Sequence, residues 1–451
     1  MSRISAQNLP AAAALPAYDR AAKAIGIVHF GLGAFTRAHQ AWYTDRAIET
    51  DGGDWLIAGI SLRSPTVGEQ LNPQDGLYTL AEKSGEGTRL RVIGSVAEVI
   101  VAPQDPARIK ALLAAPATRI VTFTVTEKGY CRRADGGLDL TLAQGGFYPL
   151  LAEAFAARKA AEIGGLTLLS CDNLAYNGHQ LKGLMGDYLA AHHPELIDWV
   201  AAHCTFPCSM VDRIVPATTE VDRAEVEGLL GLRDEGVVMT EPFSQWVIED
   251  NFAGPRPAWE AVGAQIVADV APYETAKLRM LNGAHSALAY CGLAAGHTYV
   301  HQAVADPALR ALVLRLMLEE AAPTIPAPAD MDLAAYAQAL IERFDNPALN
   351  HRLIQIAMDG SQKIPQRWLA TLAAHQAQGR QCPAILSAIA AWIRHLRGAN
   401  GSVDDPRAEE LSKTAGGDNP ILALFGDNGL IESEWVPSGA DIALITQGLA
   451  G

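Results

Sequence analysis

The sequence predicts an α/β chain: a mostly parallel sheet with crossover helices comes first, and a mainly α-helical part follows. Three observations point there. Short β-type runs alternate with helical stretches through the first part of the chain; those runs are apolar throughout rather than alternating, as strands buried on both faces are; and beyond residue 275 they stop. Residues 25–30 (IGIVHF), 55–61, 119–125 (RIVTFTV) and 166–170 are the predicted central strands. Residues 105–115 and 148–163 carry the helical period between them, and 308–321, 333–344, 367–376 and 384–396 carry it later. The change of pattern at 267–272 places a domain boundary there, giving domains of 1–270 and 271–451. The Pro-rich stretch 323–332 (PTIPAPADMD) is expected to be a loop between helices of the second domain.

With 451 residues, 49% hydrophobic and 19% charged, the chain has material for two buried cores. Its net charge of -15 argues against a nucleic-acid or anionic-membrane partner, and an anionic substrate would need a local cluster of cations. Six scattered cysteines fit reduced thiols in a cytoplasmic protein better than a disulfide framework. The one close pair, Cys204 and Cys208, has His203 beside it, but no further ligands at finger-like spacing, so no metal is expected. The alanine-rich start is too short and too weakly apolar for a signal peptide, and no apolar run approaches the length of a membrane helix. A monomer or small homo-oligomer acting on a small molecule is the expectation.

The segment IVHFGLGAFTRAHQ sets Gly31 and Gly33 directly after the first strand and just ahead of a helix. A dinucleotide-binding fold needs residues without side chains there, one for the tight turn and one for close approach to a pyrophosphate, so the first domain reads as Rossmann-type. Two features of the usual fingerprint are missing. Thr36 stands where the third glycine would be, and the second strand is followed by Leu62, Arg63, Ser64, Pro65 and Thr66 rather than by a carboxylate for the ribose. An arginine there suits a 2'-phosphate, so these residues leave the choice between NAD and NADP open.

At the start of the second domain, TAKLRMLNGAHSALAYCGLAAG reads as a mostly apolar helix that carries Lys277, Asn282 and His285. At α-helical pitch Asn282 lies about 140° and His285 about 80° from Lys277, which leaves one polar face. Desolvation lowers the pKa of a lysine, the condition for a general base acting on a secondary alcohol. Asn282 would then donate to the reacting oxygen and His285 would hold a neighbouring hydroxyl. The same pattern also suits an interface helix whose lysine snorkels and whose histidine is satisfied in the core, and the residues alone leave both readings open. Gly283 is expected to permit close approach of substrate or of another segment. Tyr273 and Lys277 have the Y-x-x-x-K spacing of short-chain dehydrogenases; the chain is too long and its glycines are wrong for that class, so Tyr273 is expected to be structural. SCDNLAYNG offers Asp172 and Asn173 at a strand end, and MVDRIVP offers Asp212 at another, each equally readable as a turn or cap.

Taken together, GLGAFTRAHQAWYTD, TVTEKGYC, SCDNLAYNG, TFPCSMVDRIVP, EPFSQWVIEDNF, KLRMLNGAHSALAY and QIAMDGSQKIPQR resemble the mannitol dehydrogenase family, the polyol-specific long-chain dehydrogenases and reductases. The resemblance implies a metal-independent NAD-linked oxidoreductase. It makes Lys277 the general acid/base, with Asn173 and Asn282 on the reacting oxygen, His285 orienting substrate and Glu274 tuning the proton path. Gly31, Gly33, Phe35, Arg37, Arg63 and Glu127 are the expected cofactor contacts. Asp212 and Lys363 match positions that line the substrate pocket, and Lys128, Arg279 or Lys363 would pair with a substrate carboxylate. Mannitol 2-dehydrogenases tend to carry arginine where this chain has Gln355 and glycine where it has Lys128. The motifs are more similar to those of fructuronate reductases, which interconvert fructuronate and mannonate. Mannitol or arabinitol oxidation is the alternative.

Overall fold

A computed structural model describes residues 2–133, 135–328, 331–348 and 350–450, as two compact units, Met1–Val270 and Ala271–Gly451. Its strands, in chain order, are β1 (Ile25–Phe30), β2 (Leu56–Ser61), β3 (Tyr78–Ser84), β4 (Gly87–Ile93), β5 (Val96–Val101), β6 (Ile120–Phe123), β7 (Thr167–Ser170), β8 (Ser209–Asp212), β9 (Val238–Thr240), β10 (Gln245–Glu249) and β11 (Gln265–Val267). The four expected strands are β1, β2, β6 and β7, and with β5 they make one parallel sheet in the order β5-β2-β1-β6-β7. Their mainly apolar runs follow from burial on both faces. Val28, Phe30, Val121 and Phe123 pack on one side with Phe147 and Leu151, where Phe30 and Phe123 stack at 5.6 Å. Ile27, Ile57, Ile120 and Leu169 pack on the other with Tyr43, Trp246 and Trp259.

Two three-stranded sheets, β4-β3-β9 and β11-β10-β8, were not expected from the sequence. Each mixes a parallel with an antiparallel pair. The β3–β4 hairpin has Lys83, Glu82, Arg89 and Arg91 interleaved with apolar residues, because one face is partly open to solvent, and its signal is weaker than that of a buried run.

The second unit is helical apart from the isolated bridge between Tyr299 and Arg352 among the described residues. The helix Pro383–Leu396 is apolar nearly all round because it is central, packed by Gly283–Ala294 and Gly439–Ala450. Leu333–Phe344 starts at Asp332, whose carboxylate accepts from the N–H groups of Ala334 and Ala335. In the Pro-rich stretch a short 3-10 turn, Ala322–Thr324, is followed by irregular backbone; Ala329 and Asp330 lie outside the described residues. No helix among the described residues is long and apolar enough to cross a membrane.

The sequence pattern reads residues 275–296, 308–321 and 367–376 as uninterrupted α-helices, and the structure corrects this. Each contains or adjoins a π-helical segment, at Lys277–Asn282, Leu316–Ala321 and Pro365–Leu369, and the first packs against both others. Periodicity does not distinguish one wide turn from its α-helical flanks.

Glu320, inside the second π segment, is 2% exposed and accepts from the N–H groups of Ala384 (2.7 Å) and Ile385 (2.9 Å) at the start of the central helix. Burial pushes its carboxyl up from 4.5 to about 7 despite both donors. Between these values the folded chain holds a proton that the unfolded chain has lost, so this group's contribution to stability declines as pH rises through that window and is level above it. In urea titrations at pH 5 and pH 8, Glu320→Gln should shrink the stability difference between the two pH values by up to about 3 kcal/mol relative to wild type. An identical difference in both proteins would refute the shift.

Candidate active site

In the first unit β1 lies at the centre of the parallel sheet, with β2 on one side and β6 on the other, so the chain order reverses at the carboxyl ends of β1 and β6. Such a switch point opens the crevice in which α/β sheets bind ligands. The glycine turn sits there. Gly31 has φ +90, and a Cβ on it would stand 2.2 Å from the carbonyl oxygen of Thr124 at the end of β6, so both conformation and space demand glycine. Gly33 differs: its backbone is extended, and the nearest atom to an added Cβ is 3.8 Å away. The protein's own packing does not require a glycine at 33, whereas a close-lying ligand would, and that is the fit expected of a dinucleotide cradle.

Thr36 explains the missing third glycine. Its hydroxyl bonds to His29 Nε2 (2.8 Å) and to the Thr124 hydroxyl, which also donates to the carbonyl of Gly31 (2.7 Å). His29 Nδ1 reaches Thr122 (2.6 Å), and burial drives the imidazole pKa down to about 3, so the ring is neutral. A polar network thus holds the first helix, Ala34–Ala38, to β1 and β6, the role that close packing over glycine plays in the usual fingerprint. Arg37 is buried. Its guanidinium donates to the carbonyls of Gly33 (3.3 Å) and Gly236 (2.6 Å) and lies over Tyr78, so it holds the turn's backbone rather than standing open to a phosphate. Phe35 is half-buried and stacks on His39 at 5.1 Å. Arg63 is exposed just beyond β2, and Glu127 and Lys128 are exposed on the turn Thr126–Gly129 beyond β6.

Asp172, on the loop beyond β7, binds that turn. Its carboxylate accepts from the N–H groups of Val125 (3.0 Å) and Thr126 (2.9 Å) and from the Tyr130 hydroxyl (2.8 Å). Burial raises its pKa, with the three donors opposing. The left-handed backbone of Thr126 (φ 63) is held by this clamp, which joins the loop of Lys128 to the loop of Asn173. Asn173 is exposed; Asp212 ends β8 and is buried.

In the second unit the π segment begins at Lys277, which is 8% exposed, and ends at Asn282. Bonding from i to i+5 sets residue i+5 nearly above residue i, so the wide turn closes most of the 140° expected at α pitch and brings Lys277 and Asn282 to one face. His285 follows one turn on. It is 8% exposed, lies against Phe344 (4.5 Å) and His351 (5.4 Å), and its Nε2 is buried with no hydrogen-bond partner among the described residues. Burial, with the positive Arg343 and Arg367 nearby, holds the imidazole well below its ordinary pKa, so it is neutral.

Two residues outside the expected set hold this segment. Arg367 donates to the carbonyl of Asn282 (3.4 Å) and the hydroxyl of Ser286 (2.7 Å), and Trp368 Nε1 donates to the carbonyl of Gly283 (3.1 Å). A Cβ on Gly283 would meet the Arg367 carbonyl oxygen at 3.4 Å, an ordinary van der Waals contact, so this packing by itself does not demand the glycine expected there for close approach. Pro365, inside a helical pattern, was the available signal. Burial lowers the Arg367 pKa to about 10.

The other expected residues are placed as follows. Glu274 lies in the helix Ala271–Ala276, and Tyr273 beside it is buried. Lys363 donates to the Met358 carbonyl (2.6 Å) with Asp359 at 3.8 Å, and burial lowers its pKa. Arg279 is committed to Thr324, through its carbonyl (2.8 Å) and hydroxyl (2.6 Å). Gln355 is exposed.

Comparison with known proteins places this architecture. The mannitol dehydrogenase Rossmann domain matches residues 25–261, and the mannitol dehydrogenase C-terminal domain matches residues 269–422. D-mannonate oxidoreductase of Escherichia coli K12 is 42% identical over 98% of this chain and 95% of its own length. Mannitol 2-dehydrogenase of Phaeosphaeria nodorum is 38% identical over 92% of this chain and 78% of its own. A solved structure of Pseudomonas fluorescens mannitol 2-dehydrogenase, a ternary complex with NAD and D-mannitol, is 36% identical with a TM-score of 0.83, covering 99% of this chain and 96% of that one.

Proposed function

This chain belongs to the mannitol dehydrogenase family of oxidoreductases, and from that premise we propose that it interconverts D-fructuronate and D-mannonate with NAD(H). The observation that carries the substrate assignment is the 42% identity to a D-mannonate oxidoreductase across nearly the whole of both chains, against 36–38% to the mannitol 2-dehydrogenases. The exposed Lys128 supports it as a cation available to a sugar carboxylate, in a protein that is otherwise acidic. Arg279, committed to Thr324, is the weaker candidate for that pairing.

Gly31 and Gly33 would hold the pyrophosphate of a nicotinamide cofactor, which would supply the hydride acceptor or donor. The chain's own residues do the rest. In oxidation Lys277 takes the hydroxyl proton, and in reduction it returns one to the oxygen. Asn173 and Asn282 donate to that oxygen as its charge develops. His285, neutral throughout the working pH range, uses Nε2 for a neighbouring hydroxyl, and Glu274 adjusts the proton path to Lys277. Arg367 and Trp368 donate to the carbonyls of Asn282 and Gly283, where the widened turn ends, and so hold Lys277 and Asn282 on their common face.

Initial rates with NADH and fructuronate should exceed those with NAD and mannitol or arabinitol by at least about tenfold in kcat/KM. The reverse order would assign the chain to the polyol dehydrogenases and overturn the uronate reading. Replacing NADH by NADPH in the same panel reads the consequence of Arg63 standing where a ribose-binding carboxylate is usual.

A further inference from the structure

Three side chains of the first unit, used in none of the steps above, converge where the chain enters β8. A ring nitrogen of His179, the sulfur of Cys208 and a carboxylate oxygen of Glu249 all lie within 4.8 Å of one another. We propose that these residues form a binding site for a thiophilic divalent cation of the zinc type, separate from the hydride-transfer chemistry.

The cluster is built rather than incidental, because the backbone under each ligand is tied to the others. Glu249 N–H donates to the carbonyl of Cys208 (3.0 Å), and the Glu249 carboxylate accepts from the Cys208 N–H (2.8 Å), so the two are cross-strand partners at the end of the β8–β10 pair. His179 lies in the first turn of the helix Asn177–His192. That turn is fixed to β8 by Asn177, whose side chain donates to the Ser209 carbonyl (2.8 Å) and accepts from the Ser209 N–H (3.0 Å). It is also pressed on the strand's approach, since a Cβ on Gly178 would stand 2.5 Å from the carbonyl oxygens of Phe206 and Pro207.

The donor set selects the cation. A thiolate, an imidazole and a carboxylate suit zinc and cobalt, whereas magnesium and calcium take oxygen ligands. Zinc bond lengths of about 2.0–2.3 Å put tetrahedral ligands about 3.3–3.7 Å apart, so the side chains must close by about 1 Å. Cys208 is buried, but His179 is exposed and Glu249 half-buried, and rotation of those two supplies the movement. One carboxylate oxygen keeps the Cys208 N–H while the other turns to the cation, and water from the open His179 side takes the fourth position. Binding displaces the thiol proton of Cys208 to solvent, so affinity rises with pH. Because Asn177 also donates to the carbonyl of Asp172 (3.0 Å), the cation would brace the loop that carries Asp172 and Asn173.

The test is titration of the chelator-treated protein with cobalt(II), read by the thiolate-to-cobalt charge-transfer absorption and by thermal unfolding. The expected result is one cobalt per chain with that absorption, displacement by zinc, and a rise in Tm. Cys208→Ser should abolish the band and Cys204→Ser should keep it. His179→Ala, a change at an exposed residue that leaves the fold in place, should weaken binding by at least about tenfold without altering turnover in metal-free buffer. No band in the wild type, a band that survives Cys208→Ser, or cobalt affinity unchanged in His179→Ala would each overturn the proposal.

Discussion

Lys277→Ala is expected to lower kcat by about 10³-fold or more, in both directions, while NADH binds as it does to the wild type. The reason for the size is that alanine offers no group to take or return the hydroxyl proton, and Lys277 opens the one turn that also presents Asn282. Binding of NADH should survive because the glycine turn belongs to the other compact unit. Lys277→Arg sharpens the test. Arginine keeps the positive charge but does not deprotonate at working pH, so it too should fail, although a residue needed only for its charge would tolerate the exchange. Steady-state rates with fructuronate and with mannonate, beside an NADH fluorescence titration, read both quantities. Turnover of either variant within about tenfold of wild type would remove Lys277 from the proton step.

The second large effect separates two glycines that look alike in the sequence. Gly31→Ala places a Cβ 2.2 Å from the Thr124 carbonyl oxygen on a backbone with φ +90, so about 3 kcal/mol or more of stability should be lost. At Gly33 an added Cβ meets nothing closer than 3.8 Å and the backbone is extended, so the Tm of Gly33→Val should stay within about 2 °C of wild type. Its side chain nevertheless fills the space proposed for the cofactor pyrophosphate, and NADH affinity should fall at least about tenfold. Urea unfolding and NADH titration of both variants decide it. Normal NADH binding by Gly33→Val would show that the cofactor does not approach this turn.

Much of the fold was legible because its strongest signals are local. β1, β2, β6 and β7 are short, mainly apolar runs bounded by turns, and the few polar residues in them, such as His29 and Thr122, are buried only because they pair with one another. β5 and the small sheets were harder, apart from β8, whose end at Asp212 was readable in MVDRIVP: their strands are short, half-exposed or paired with partners far along the chain, and alternation over three to seven residues competes with ordinary loop composition. Among the candidate residues, types and spacing pointed to Lys277, Asn282 and His285, whose shared face is a matter of helical period. The clamp of Asp172 on Val125 and Thr126 had no such period, since it joins two loops through the order in which strands sit in a sheet.

By itself, the sequence determined where four strands of the parallel sheet run, that glycines follow the first of them, and that a lysine, an asparagine and a histidine share an apolar helix. Each of these is written in the identity of residues close in the chain. Tertiary structure alone decided that the helix widens at Lys277–Asn282, that Arg367 and Trp368 complete its hydrogen bonding, that Thr36 with His29 replaces a glycine, and that Arg37 turns inward. A widened turn is held by whatever donors the packing brings to it, and a buried polar side chain must find a partner wherever packing supplies one. Those partners come from segments distant in the chain, so no local pattern records them.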